Sequence, residues 1–136
     1  MADADNEKVR AVLDRFEKGW RKADISLLKS LWDPRYPNSS YIASEREGPV
    51  FGPEAIDKYY EEALALFPIT SMKIDHVKID VFEPLAYAFC DISIGFKVKN
   101  TEHVVHPRAT FVLRKWDGEW YLIHYHESIQ YEVPGG

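Results

Sequence analysis

The sequence predicts an α+β domain in which three N-terminal helices pack on one face of a cone-shaped, strongly curved antiparallel or mixed sheet. Three observations carry that prediction. Apolar residues recur at helical spacing in the first half of the chain and alternate with period two in the second. Proline, glycine and aspartate mark the transitions. With 136 residues and 46% hydrophobic content, the chain suits one globular domain over residues 1–136 rather than two.

The first element is a helix from about Asp5 to Lys22, because Val9, Val12, Leu13, Phe16 and Trp20 form one apolar stripe. Gly19 weakens its end. Asp24 suits the cap of a second, short helix carrying Ile25, Leu27, Leu28 and Leu31, which stops at Asp33-Pro34. Tyr41 to Ser44 reads as a short strand, and Glu45 to Pro49 as a turn. Gly52-Pro53-Glu54 opens a third helix, since proline is tolerated in a first turn where its missing N–H has no helical partner. Ile56, Tyr59, Tyr60, Ala63 and Leu64 line its apolar side, and Pro68 follows its end. Long strands follow over Met72–Phe82, Leu85–Lys97 and Glu102–Trp116, with a last one from about Trp120. Lys99-Asn100-Thr101 and Asp117-Gly118 are the turn signals between them. His106-Pro107 suggests a bulge or an edge, because proline cannot donate to a sheet ladder. Pro134-Gly135-Gly136 reads as the end of a flexible tail over residues 133–136.

Composition narrows the function classes. The formal charge is -5, from 17 basic and 22 acidic residues, and no basic stripe stands out, so nucleic acid is not an expected partner. No apolar run has the length of a membrane span and the N-terminus has no apolar signal core, so a soluble, cytoplasmic protein is expected. Cys90 is the only cysteine and sits in an apolar strand, which rules out an internal disulfide and favours a buried thiol. The sequence has no GxGxxG fingerprint, P-loop, HExxH or EF-hand motif, and no cofactor is expected.

Three segments carry a likeness to known proteins. Gly52-Pro53-Glu54-Ala55-Ile56 looks like the opening of the third helix in the nuclear-transport-factor-2-like superfamily, which includes ketosteroid-isomerase-like and polyketide-cyclase-like (SnoaL-like) domains. Arg108 to Lys115 followed by Asp117-Gly118-Glu119-Trp120 resembles its penultimate strand and hairpin. His124-Tyr125-His126-Glu127-Ser128 is similar to the end of its last strand, and also resembles the association domain of calcium/calmodulin-dependent kinases. The resemblance covers nearly the whole chain and implies the fold. It leaves the reaction open, because members include isomerases, dehydratases, cyclases, ligand binders and assembly modules.

The last strand supplies the first candidate residues. In a regular strand Trp120, Leu122, His124, His126 and Ser128 share one face, which begins apolar and ends polar, as a strand entering a pocket would. His124 and His126 suit proton transfer near neutral pH, and a shared metal would need a third ligand such as Asp91 or His106. Asp91 is an acid in an apolar strand, and Arg108 wants a carboxylate partner from the protein or a ligand. His124, His126, Asp91 and Arg108 are therefore the expected catalytic group. Trp20, Trp32, Tyr41, Tyr59, Tyr60 and Phe89 are the expected pocket wall, together with Ser128, around a small apolar or anionic ligand. The other face of the last strand holds Tyr121, Ile123, Tyr125, Glu127, Ile129 and Tyr131, and its aromatic character predicts a homodimer through the sheet face. Two functions compete: a small-molecule lyase or isomerase using general acid/base chemistry without a cofactor, and a non-catalytic homo-oligomeric association or ligand-binding module.

Overall fold

A computed structural model describes residues 2–131 and residue 134. Helix α1 (Ala2–Arg21) buries the expected stripe of Val9, Val12, Leu13, Phe16 and Trp20. Helix α2 (Ile25–Ser30) is capped by Asp24, whose carboxylate accepts the Leu27 N–H at 3.1 Å. Gly19 has a packing reason: a Cβ there would lie 2.7 Å from the Leu28 side chain, so its absence lets α1 and α2 approach. Helix α3 (Pro53–Leu66) begins with proline in its first turn, after Gly52 at φ +89°, and buries Ile56, Tyr59, Tyr60 and Ala63.

The strands are β1 (Ser40–Ile42), β2 (Val50–Phe51), β3 (Ile69–Phe82), β4 (Leu85–Val98), β5 (Thr101–Val105), β6 (Arg108–Trp116) and β7 (Glu119–Ser128). The two turn signals hold: Lys99 and Asn100 at the β4–β5 turn, and Asp117 and Gly118 at the β6–β7 turn, all have positive φ. The strand expected over Glu102–Trp116 is instead two strands, with His106 and Pro107 between them. Pro107 cannot donate, but its carbonyl accepts the Ile92 N–H at 2.9 Å, so the chain stays beside β4 through the interruption.

The sheet runs β2-β1-β7-β6-β4-β3, with β5 also paired to β4. Every pairing is antiparallel except β1 with β7. The α+β class and the three helices on a mixed sheet stand; the cone-shaped, strongly curved sheet does not. The strand path is open, with β2 and β3 as its two ends and no ladder joining them. A closed or cone-like wall needs its edges to exchange hydrogen bonds, and the β2 end offers only two residues. The expected tail over residues 133–136 lies outside the described residues apart from Pro134.

One irregularity decides what faces the helices. Val112 pairs with His124 but Leu113 pairs with Leu122, which leaves Ile123 as an extra residue in β7. Such a bulge shifts the side-chain alternation by one beyond it. Trp120 and Leu122 face the core before the bulge, and Tyr125 and Glu127 take that face after it. His124, His126 and Ser128 turn to the opposite face, beside Ser40 and Ile42 of β1. The expected grouping of Trp120 and Leu122 with the two histidines and Ser128 is thus broken. Tyr125, expected on an uncovered face, is 1% exposed, and its ring packs 5.0 Å from Phe16 and 4.6 Å from Tyr41.

Candidate functional site

Between the helices and the sheet lies a cavity of about 160 Å³. Phe16 and Trp20 of α1, Tyr59 and Ala63 of α3, Tyr41 of β1, Met72 of β3, and Ile94 and Phe96 of β4 form its apolar and aromatic wall. Its polar end is built by β7 and the loop after β1. Tyr125 and Glu127 are two residues apart on one strand face, so the phenol and the carboxyl project side by side. Ser44 and Glu45 approach them from the loop.

The hydrogen bonds at that end form two sets. Tyr125 donates its O–H to Glu127 Oε1 at 2.7 Å, and Ser44 donates its Oγ–H to Glu127 Oε2 at 2.5 Å. The Ser44 backbone N–H also reaches Glu127 Oε2 at 3.3 Å. Tyr59 donates its phenol to Glu45 Oε1. Burial raises the Glu127 carboxyl above its ordinary range, and the hydrogen bonds from Ser44 and Tyr125 only partly offset that rise. Burial likewise holds the phenols of Tyr41, Tyr59 and Tyr125 well above the ordinary tyrosine range, so they stay neutral, and Tyr59 and Tyr125 act as donors. The arrangement can present a carboxyl of elevated proton affinity to a ligand whose body rests on aromatic rings.

The expected residues divide between this cavity and other places. Trp20, Tyr41 and Tyr59 line it. Trp32 and Tyr60 are buried in the core behind the wall, where Trp32 Nε1 donates to the Tyr60 hydroxyl at 2.8 Å. None of the four residues expected to be catalytic lines the cavity. Asp91, Arg108 and Ser128 are successive partners across β4, β6 and β7, and Phe89, Thr110 and His126 form the next row on the same outer face. They are brought together there, on the face without helices. Asp91 pairs with His76 of β3 at 3.0 Å, not with Arg108, which is exposed. The bulge carries His124 outward as well; its Nδ1 is 2.6 Å from Ser40 Oγ, and burial, then the neighbouring His126, lowers its pKa. Among the described residues no group of three His, Cys, Asp or Glu side chains is placed to hold a metal ion. Cys90 is fully buried in β4, and burial pushes its thiol up to about 12, which leaves it without a nucleophile's thiolate.

Glu127, Glu45, Ser44 and Tyr125 are the polar residues that the sequence reading did not assign to a site. A signal for two of them was present. Trp120 to Ile123 is a continuous run of large apolar residues, and Leu122 and Ile123 are both buried, at 0% and 9% exposure. A strictly alternating half-buried strand would not place two such neighbours inside, so the run marks the bulge that turns Tyr125 and Glu127 inward.

This architecture, an open mixed sheet with an aromatic-walled cavity beneath its helices, recurs among solved structures. Residues 9–132 match the family model for the SnoaL-like domain, and the chain belongs to that family. A nuclear-transport-factor-2-like superfamily protein from Salmonella enterica serovar Typhimurium superposes with a TM-score of 0.84 at 21% identity, covering 100% of this chain and 98% of that one. A protein from Streptomyces avermitilis, provisionally assigned as a dehydratase of the same superfamily, gives a TM-score of 0.82 at 20% identity, over 96% of this chain and 99% of that one. A Xanthomonas campestris protein provisionally assigned as a calcium/calmodulin-dependent protein kinase II association domain gives 0.77 at 22% identity, over 92% and 87%. At these identities the likeness is one of fold. No match is found among curated proteins. No helix among the described residues is long and apolar enough to cross a membrane.

Proposed function

We propose that the protein binds a small, largely apolar or aromatic molecule in the cavity and that Glu127 exchanges a proton with it, in a lyase or isomerase reaction of the general acid/base kind. The observation that carries this reading is the partly buried Glu127 carboxyl, raised in proton affinity, at the polar end of a chamber whose remaining wall is mainly apolar and aromatic. A carboxyl tuned upward works closer to neutral pH, where its basicity and its ionised fraction are both useful. Tyr125 and Ser44 hold that carboxyl in place, and the rings of Trp20, Tyr41 and Tyr59 supply apolar contact. The substitution Ala63→Phe tests the chamber, because Ala63 is on the wall and 8% exposed. Monocyclic aromatic compounds titrated into the protein are expected to change its tryptophan fluorescence, and Ala63→Phe is expected to remove the response while the circular dichroism spectrum is kept. An unchanged response in the variant would place binding elsewhere.

A second reading concerns the uncovered face of the sheet. We infer that it pairs two copies of the chain, because Phe82, Tyr87 and Trp116 are 52%, 40% and 49% exposed there and Phe89 and Val112 are half-buried beside them. The bulge splits the face first expected: Tyr125 and Glu127 point inward, while Tyr121 stays on the uncovered face beside Arg114. Sedimentation is expected to give a dimer that Tyr87→Glu converts to monomer. A monomeric parent protein at micromolar concentration would refute the pairing.

A further inference from the structure

We propose that the ligand of this cavity carries a positively charged nitrogen, as a protonated amine or a quaternary ammonium, on an apolar body of about one ring. This rests on the pocket reading above and narrows it to a substrate class. Its first support is the charge inventory. Among the described residues sixteen form the cavity wall, and of these only Glu45 and Glu127 carry a formal charge, with no lysine, arginine or histidine.

The partners of those two acids point the same way. Glu127 is held by a phenol, a hydroxyl and a backbone N–H, and Glu45 by a phenol, so every donor they now have is neutral. Among the described residues neither acid forms an ion pair. The nearest arginine in sequence, Arg46, is directed elsewhere: its guanidinium lies 5.6 Å from the centre of the Tyr59 ring and pairs with Glu62 at 3.7 Å. Each carboxylate oxygen can accept more than one hydrogen bond, so capacity remains for a charged N–H donor, whose bonds to a carboxylate are the stronger kind.

The enclosure supplies the rest of the recognition. Trp20, Tyr41, Tyr59 and Phe67 present aromatic surface to the same space, and such π faces attract ammonium groups. The cavity of about 160 Å³ compares with an apolar cavity of about 150 Å³ that admits benzene, which sets the size of the ligand body. An anionic ligand, one of the two kinds expected from the sequence, would meet two acids and no cation there. That repulsion works against binding and so discriminates by charge.

Benzylamine, benzyl alcohol and phenylacetate test the assignment as cationic, neutral and anionic probes of similar size. Each is titrated into the full chain at pH 7 and fixed ionic strength, with binding followed by NMR chemical shifts. Benzylamine is expected to bind at least about tenfold more tightly than benzyl alcohol, the gain of a charge-assisted contact, with phenylacetate weakest. Glu45→Gln and Glu127→Gln are each expected to reduce that preference; Glu45 lies in an exposed loop, so its variant keeps the fold. Equal or tighter binding of benzyl alcohol or phenylacetate overturns the charge assignment and leaves the pocket reading intact. An amine preference unchanged in both variants also overturns it, since the amine would then be bound elsewhere. Binding of none of the three overturns both.

Discussion

Replacing Glu127 by glutamine is expected to abolish proton transfer to a bound ligand and yet leave the protein at least as stable at pH 7 as the parent. The reason is the direction of its pKa shift. Burial raises the carboxyl above its ordinary value despite the hydrogen bonds from Ser44 and Tyr125. A group with a folded pKa above its unfolded one contributes stability below the unfolded pKa, and that contribution is lost as pH rises through the folded value. At neutral pH the ionised Glu127 is therefore a destabilising element, tolerated where a neutral amide of the same shape would be easier to bury. Thermal melts at pH 4 and pH 7 check this: the variant's advantage should appear at pH 7 and shrink at pH 4. A melting point several degrees below the parent's at pH 7 would make Glu127 an anchor for the Ser44 loop and not a group held ready for chemistry.

Asp33→Ala is expected to lower stability by about 3 kcal/mol, or roughly 10 °C in melting temperature for a chain of this size. Asp33 has 0% exposure and accepts from Arg35 Nε at 3.0 Å, from the Arg35 N–H at 2.9 Å and from Arg114 Nη2 at 2.9 Å. Burial alone would raise its pKa, but the Arg35 N–H and the Arg114 guanidinium outweigh it and hold the carboxyl below its ordinary value. With a depressed folded pKa, the contribution is present above the unfolded pKa and lost as pH falls through the folded one. The gap between parent and variant should thus narrow in acid, below about pH 4. A melting point within 2 °C of the parent at pH 7, within the ordinary spread for a surface substitution of roughly 0.5 kcal/mol, would show that the cluster is dispensable.

The two predictions meet in β7. Asp33 donates its N–H to the Leu122 carbonyl at 3.1 Å, and Leu122 donates its own to Leu31 at 2.8 Å. This bridge holds the strand next to its extra residue, Ile123. The network around Asp33 therefore bears on which side chains reach the cavity, although none of its members lines it.

Much of the fold was legible because its signals are local. The stripe from Val9 to Trp20, the Asp24 cap, Pro53 in a first turn and the Asp117-Gly118 turn each act within a few residues, and each holds. The family likeness rested on the same kinds of segment. The site was less legible, since the face of β7 that turns inward depends on pairing with β6 and with the Leu31–Asp33 segment, both distant in sequence. Strict alternation beyond Leu122 sent His124, His126 and Ser128 to the wrong side and overlooked Glu127. Asp91 and Arg108 went astray differently: they are neighbours across the sheet, as their parity allowed, but on the face without helices. The aromatic residues fared better because large rings in a chain this short are mostly inside; Trp20, Tyr41 and Tyr59 reach the cavity and Trp32 and Tyr60 stand behind it.

The extra residue at Ile123 also means that β7 carries two interleaved inventories in one ten-residue strand. As the strand stands, the inward set is a phenol and a carboxyl. A strand that kept Ile123 in regular one-to-one pairing would turn the other set inward, with two imidazoles and a hydroxyl lining the chamber and the acid left outside. The same helices could then enclose a basic interior in place of an acidic one. In this architecture the presence or absence of one bulge amounts to a choice of ligand charge class, a larger step in chemistry than most point substitutions in the wall could make.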